Sequence, residues 1–346
     1  MNSTITFLGG TREIGASSSY LYLGGTGIII DSGLHPSKRD KTAFPCYPAV
    51  EDRQADFFLL THAHTDHLGG LPYLLKFFPY IRLIATPATR DLSEIMLKDA
   101  AKLLKSELTK EFSEQALSLY SQEILDRIWM LMETTEYEKE LKFETFGGDA
   151  PVTAQFLHSG HILGSASIYV EYKGKSFLHT SDVQFSDQAV IAKANLPRHH
   201  LNTLIIEATN GADTSLPEPK SEKKRLARFI NDIVNNNGSI LIPSFALGKT
   251  QEILTVIQRL TAAGKIPKLP LYTGGMGGKI SKIYDRYCYS VPMVKPGFEI
   301  SDIEQIEIDM KRLMTGQYFK EPSIVVVPSG MMNRHTLSYR LALKWM

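Results

Sequence analysis

Apolar positions fall into two rhythms along the chain. In the first, short β-branched and aromatic runs at residues 4–8, 18–23 and 26–30 are separated by the glycines at 9, 10, 24 and 25, a pattern that predicts a meander of strands. The apolar run 57–60 leads straight into a histidine-rich segment, so those histidines stand at the C-terminal end of a strand, where the chain turns into a helix. Between 89 and 132 the spacing becomes helical, with Leu92, Ile95, Met96, Leu97, Leu103 and Leu104, then Leu117, Leu119, Ile124, Leu125 and Ile128. Two or three helices covering one face of a sheet fit that spacing. Strand patterns return at 152–157, 166–172 and 175–180, the last two joined by a turn at Gly174.

After the run 204–206 the rhythm changes. Leu226, Phe229, Ile230 and Ile233 have the spacing of an amphipathic helix, and 240–242 reads as a short buried strand ending at Pro243. A helix over 250–262, a strand near Leu271, a helix over 279–287, a strand at 324–327 and a final helix from Thr336 follow. Strands alternating with helices of this length predict a mostly parallel sheet of βαβ units. The change of rhythm divides the chain into a domain of residues 1–206 and a second of residues 207–346.

Composition narrows the functional classes. A chain of 346 residues, 43% hydrophobic and 22% charged, can bury a sizeable core in two domains. No apolar run approaches the roughly 20 residues needed to cross a bilayer, and the first ten residues lack the basic and apolar regions of a secretion signal. The two cysteines, Cys46 and Cys288, lie in different halves and make neither a disulfide framework nor a cysteine-only zinc site, which points to a reducing, cytoplasmic compartment. The net charge of +1 hides an asymmetry: residues 207–346 carry 19 Lys+Arg against 13 Asp+Glu, the first 206 residues 19 against 24. An anionic partner for the second half fits that balance. Oligomeric state is open.

The chemistry concentrates in Thr61-His62-Ala63-His64-Thr65-Asp66-His67-Leu68-Gly69-Gly70. In an extended stretch residues i and i+2 point the same way, so His62 and His64 can grip one ion while Asp66 and His67, at the turn into a helix, face a second. Imidazole with carboxylate suits zinc or a similar divalent metal. His161, flanked by glycines in Ser159-Gly160-His161-Ile162-Leu163-Gly164-Ser165-Ala166, and Asp182, in His179-Thr180-Ser181-Asp182, follow later strands. A carboxylate at 182 can bridge two cations. Asp31, closing the strand at 26–30, is read as standing behind a ligand rather than as one. Residues 243–250 form a strand end leading into a helix N-terminus, where free N–H groups with Ser244 and Lys249 can meet a phosphate.

The HxHxDH motif, the later GHxxGSA and the aspartate of TSD resemble the metallo-β-lactamase superfamily over residues 1–206. The segments Leu204-Ile205-Ile206-Glu207, Ile242-Pro243-Ser244-Phe245-Ala246-Leu247-Gly248-Lys249-Thr250-Gln251-Glu252 and Pro328-Ser329-Gly330-Met331-Met332 resemble its β-CASP branch of nucleic-acid hydrolases. The resemblance implies an α/β fold, an αβ/βα sandwich with an inserted β-CASP α/β domain. It implies two divalent metals, zinc or else manganese, one held by His62, His64 and His161, the other by Asp66 and His67, with Asp182 bridging. It further implies hydrolysis of a phosphodiester in single-stranded RNA, DNA being the other candidate, with Asp66 and Glu207 as catalytic residues and Ser244, Lys249 and Ser329 as phosphate contacts. A nucleic-acid-binding subunit without activity and a small-molecule hydrolase of the same fold are the alternatives. The family carries two more histidines after its Ser-Gly-Met segment, whereas only His335 lies beyond His200 here. A C-terminally incomplete chain with a weaker second metal site is therefore expected.

Overall fold

A computed structural model describes residues 3–38, 40–107, 118–145, 148–215, 217–309, 321–328, 330–332, 334 and 336–345. Ser329, His335 and Leu117 lie outside them. Strand β1 (Thr4–Gly9), β2 (Ser18–Leu23) and β3 (Thr26–Ile30) make the antiparallel meander that the glycine punctuation predicts. From β3 the sheet continues in parallel through β4 (Phe57–Leu59), β5 (Arg82–Ala85) and β6 (Glu133–Thr134), giving six strands in sequence order. A second sheet runs β11-β10-β9-β8-β7, from β7 (Leu141–Phe143), β8 (Val152–His158), β9 (Ala166–Tyr172), β10 (Lys175–His179) and β11 (Thr203–Ile205). In it only the β10 to β11 pairing is parallel.

The two-residue period of a strand builds the core between these sheets. Ile28, Ile30, Phe57 and Leu59 pack in one cluster with Phe156, Ile168, Val170 and Phe177, and the rings of Phe57 and Phe143 stack at 4.0 Å. Fully burying a side chain of this size stabilises the fold by about 1.5–3 kcal/mol. Ile29 and Phe58, one position along and so on the opposite face, are equally buried. A sheet covered on both faces explains why β3 and β4 read as unbroken apolar runs rather than alternating ones. Helices α1 (Thr65–Leu68), α2 (Leu71–Phe77), α3 (Pro87–Glu107) and α4 (Gln122–Leu131) lie between the strands of the first sheet in sequence, and α3 packs on α4.

The contact pattern divides the chain into two compact units, residues 1–186 with 193–209, and residues 187–192 with 210–346. The second has an all-parallel sheet in the order β12-β15-β13-β14, from β12 (Ile240–Pro243), β13 (Leu271–Thr273), β14 (Ile306–Glu307) and β15 (Ile324–Val327). Helices α5 (Pro219–Asn235), α6 (Lys249–Ala262), α7 (Gly277–Arg286) and α8 (Leu337–Trp345) alternate with these strands. Val325, Val327, Ile308 and Leu341 form one apolar cluster, with Leu241, Tyr272 and Leu337 against it.

Residues 187–192 are held in this second unit by one carboxylate and by the 292–294 stretch. Buried Glu252, in the first turn of α6, accepts the backbone N–H groups of Ala189, Val190 (2.9 Å) and Ile191 (3.2 Å). Val294 donates to the Val190 carbonyl at 2.9 Å, and Ile191 bridges Met293.

Candidate metal centre

Four strand ends of the first unit bring the sequence motifs together. Asp31 follows β3, the histidine segment follows β4, His161 follows β8 and Asp182 follows β10. The two sheets are tied at this edge by the Ala166 N–H, which donates to the Thr61 carbonyl at 2.8 Å. His64 is the extended N-cap of α1, with φ −64° and ψ 147°, so His62 and His64 keep the alternation of a strand while Asp66 and His67 lie in the helix's single turn. The turn fits only because position 33 is glycine: a Cβ there would lie 1.7 Å from the Asp66 carbonyl oxygen.

His62, His64, His161 and Asp182 each offer one ligand atom, all within 4.8 Å of one another. The His161 Nε2 lies 3.1 Å from the His64 Nδ1. Asp182 faces two ways: its Oδ2 lies 3.3 Å from the His161 Nε2 and 3.8 Å from the His62 Nε2, while its Oδ1 lies 3.4 Å from the His67 Nε2. The His67 Nε2 is also 3.9 Å from the Asp66 Oδ2. All six residues expected to hold metal therefore converge.

The surroundings set their protonation. Asp31, 1% exposed, accepts the Thr61 N–H at 2.8 Å and the Thr61 hydroxyl at 2.7 Å, and stands 2.8 Å from the His67 Nδ1. An ionised carboxylate only accepts, so His67 carries its proton on Nδ1 and turns Nε2 toward the centre. The single proton of the Thr61 hydroxyl goes to Asp31. Its 3.0 Å contact with the His62 Nδ1 is then a donation from that nitrogen, which leaves the His62 Nε2 with a lone pair. That Nε2 is buried and finds no hydrogen-bond partner among the described residues. Such an orphan is costly unless something else takes the lone pair, and three imidazoles with a carboxylate are a donor set for a divalent transition metal.

Burial, with the neighbouring histidines, holds the His62 ring well below its ordinary pKa and so neutral. For His67 burial works the same way, but the carboxylates of Asp66, Asp31 and Asp182 outweigh it and raise the ring well above its ordinary range. Asp182 keeps its charge despite burial, since the imidazoles of His67, His62 and His161 lower its pKa far below the usual carboxylate value. The neutral His62 ring and the charged Asp182 are what a cation needs, and a cation bound there would compete with the proton that the carboxylates hold on His67.

The remaining expected residues have other partners. The Glu207 carboxylate accepts the Thr209 N–H at 3.0 Å, and the Glu207 N–H donates to the Thr180 hydroxyl at 3.3 Å, two residues before Asp182. Ser244 is buried, with its hydroxyl 2.8 Å from that of Thr250, so it closes the turn into α6. The Gln251 side chain accepts the Gly248 N–H at 3.0 Å, and the Phe245 carbonyl accepts the Thr250 N–H at 3.0 Å. Two of the donors of that helix start are thus satisfied internally, while Lys249 is exposed. Three site residues escape sequence reasoning: Thr61, Ser181 and His179. Ser and Thr at strand ends are common in turns, and nothing local marks these.

Residues 12–215 match the family model of the metallo-beta-lactamase superfamily. The chain belongs to that superfamily. The second unit's all-parallel sheet is the architecture expected of its β-CASP branch. An RNase J-like protein of Methanocaldococcus jannaschii is 30% identical over 333 residues, covering 94% of this chain and 71% of that protein. Endoribonuclease YSH1 of Kluyveromyces lactis is 26% identical over 98% of this chain, and transcription termination factor FttA of M. jannaschii is 29% identical over 95%. The chain spans 44% and 52% of these two relatives' lengths. A crystal structure of a protein of unknown function from Enterococcus faecalis superposes with a TM-score of 0.54 at 12% identity, covering 94% of this chain and 77% of that one, a likeness of fold alone.

Proposed function

We propose that this member of the superfamily is a metal-dependent ribonuclease that hydrolyses phosphodiester bonds in single-stranded RNA. The observation that carries the reading is the two-way carboxylate of Asp182, with His62 and His161 near one oxygen and His67 near the other. His62, His64 and His161 would hold one divalent cation, Asp66 and His67 a second, with Asp182 shared and zinc as the native metal, manganese its substitute. Cations held there supply Lewis acidity toward phosphate oxygens and acidify water toward neutral pH.

The chain's own residues do the rest. Asp66 orients the attacking water and takes its proton, and Glu207 steadies the Thr180–Asp182 turn through its backbone bond to Thr180. The positive balance of residues 207–346 favours the phosphate backbone, with Ser329 and the exposed Lys249 as contacts. The names of the RNase J-like and endoribonuclease relatives support RNA as substrate. Cytoplasmic RNA processing or decay is the setting that fits.

The test is cleavage of an end-labelled single-stranded RNA with zinc or manganese added. Cleavage should be lost in His64→Ala. If the wild-type chain binds metal and RNA yet leaves the strand intact, the nuclease reading fails.

A further inference from the structure

Ser181 departs from what its position requires of an ordinary residue. It is a non-glycine residue with φ +51°, a left-handed conformation that costs an L-residue about 1–2 kcal/mol. Glycine would adopt it freely. The side chain is only 5% exposed, so the serine is not there for solubility.

What the serine gains is its hydroxyl. The Ser181 Oγ lies 2.8 Å from the Thr61 Oγ1 and 3.5 Å from the Asp31 Oδ2. Thr61 already gives its proton to Asp31 and accepts one from His62, so the Ser181 hydroxyl donates into the remaining lone pair of the Thr61 oxygen. That bond ties the loop after β10, which carries Asp182, to the loop after β4, which carries His62, and through Asp31 to His67. A second tie comes from the backbone. The Ser181 N–H donates to the Nδ1 of buried His179 at 3.2 Å, and the His179 Nε2 points back to the Ser19 hydroxyl at 3.4 Å in the neighbouring sheet. The residue immediately before Asp182 is thus held on both its side chain and its backbone.

We propose that Ser181 is a positioning residue, whose left-handed backbone and hydroxyl together aim the two carboxylate oxygens of Asp182 at the two halves of the metal centre. This rests on the two-metal reading above. The backbone strain is stored at the site and offset by the hydroxyl bond, an arrangement typical of functional turns. Losing the hydroxyl frees the turn to relax, and Asp182 then serves one half better than the other.

The test is titration of metal-free protein with zinc against a competing chelating dye, in wild type, Ser181→Gly and Ser181→Ala. Metal-free melting serves as the fold control. Glycine relieves the backbone and removes the hydroxyl, so Ser181→Gly should melt no lower than wild type without metal. Its weaker zinc site should nevertheless lose affinity by about 10- to 100-fold, the usual cost of removing a partner behind a ligand. Ser181→Ala, which keeps the strain, should show the same loss. Wild-type affinity at both sites in Ser181→Gly would overturn the proposal, as would a wild-type chain that binds fewer than two zinc ions. Two bound ions with the loss in Ser181→Gly, in a chain that cleaves no RNA, would support the positioning role while removing the nuclease reading.

Discussion

Asp31 lies behind His67, where it receives Thr61 twice and His67 once, and so decides which nitrogen of His67 faces the centre. Replacing it by alanine leaves a buried N–H and a hydroxyl without an acceptor. Asp31→Ala should lower stability by about 1–3 kcal/mol in a urea titration and weaken zinc binding about 10- to 100-fold. His179 makes a pH prediction. Burial holds its pKa below the ordinary value, so the folded state keeps the ring neutral where the unfolded chain takes up a proton. Its contribution is present above the unfolded pKa of about 6.5 and is lost as pH falls from there toward the lower folded value. The urea midpoint of metal-free protein should fall between pH 7 and pH 5 less steeply in His179→Gln than in wild type, and equal slopes would contradict it. The six candidate ligands could be read from the sequence because they carry two chemistries at strand ends, four of them within six positions. Ser181 and Thr61 could not, since their roles depend on a dihedral angle and on a partner 120 residues away.

Among elements, the histidine strand and the helices with apolar faces could be read directly, because burial imposes periods of 2 and 3.6. Strands β5, β6 and β7 could not, being only four, two and three residues long, too short to show a period. The start of α6 shows the limit of reading a helix N-terminus from sequence. Ser244 and Gln251 spend their polar groups inside the turn, and Glu252 binds three backbone N–H groups of residues 189–191. Glu252→Ala should therefore free that segment. We expect a stability loss of about 2–4 kcal/mol and new protease cleavage within residues 187–192, with Glu252→Gln intermediate because one acceptor oxygen remains. Uncut Glu252→Ala protein would refute this.

For the whole molecule, two separate cores imply two cooperative transitions. Among the described residues the candidate metal cluster lies in the first unit, so zinc should raise the melting temperature of one transition and leave the other in place. At a free concentration 100 times the dissociation constant the gain is about 2.7 kcal/mol, and a chelator should reverse it. Calorimetry with and without metal checks both halves of the statement. The change from glycine-punctuated strands to alternating helix and strand makes the two architectures legible. Nothing in residues 187–192 marks them as partners of residues 210–346.

That borrowed segment has a consequence for synthesis on the ribosome. The first unit has all its strands once residue 205 has emerged, and its sheets can close at that point. Residues 187–192 have by then left the tunnel, but Glu252 and the 292–294 stretch that clasp them have not yet been made. For the time needed to add about a hundred residues, some 5–20 s at ordinary elongation rates, an apolar Ala189-Val190-Ile191 stretch stays open to proteases and chaperones. The nascent chain is thus most vulnerable at this segment while residues 206–294 are being made, after the unit that carries the candidate metal centre has folded.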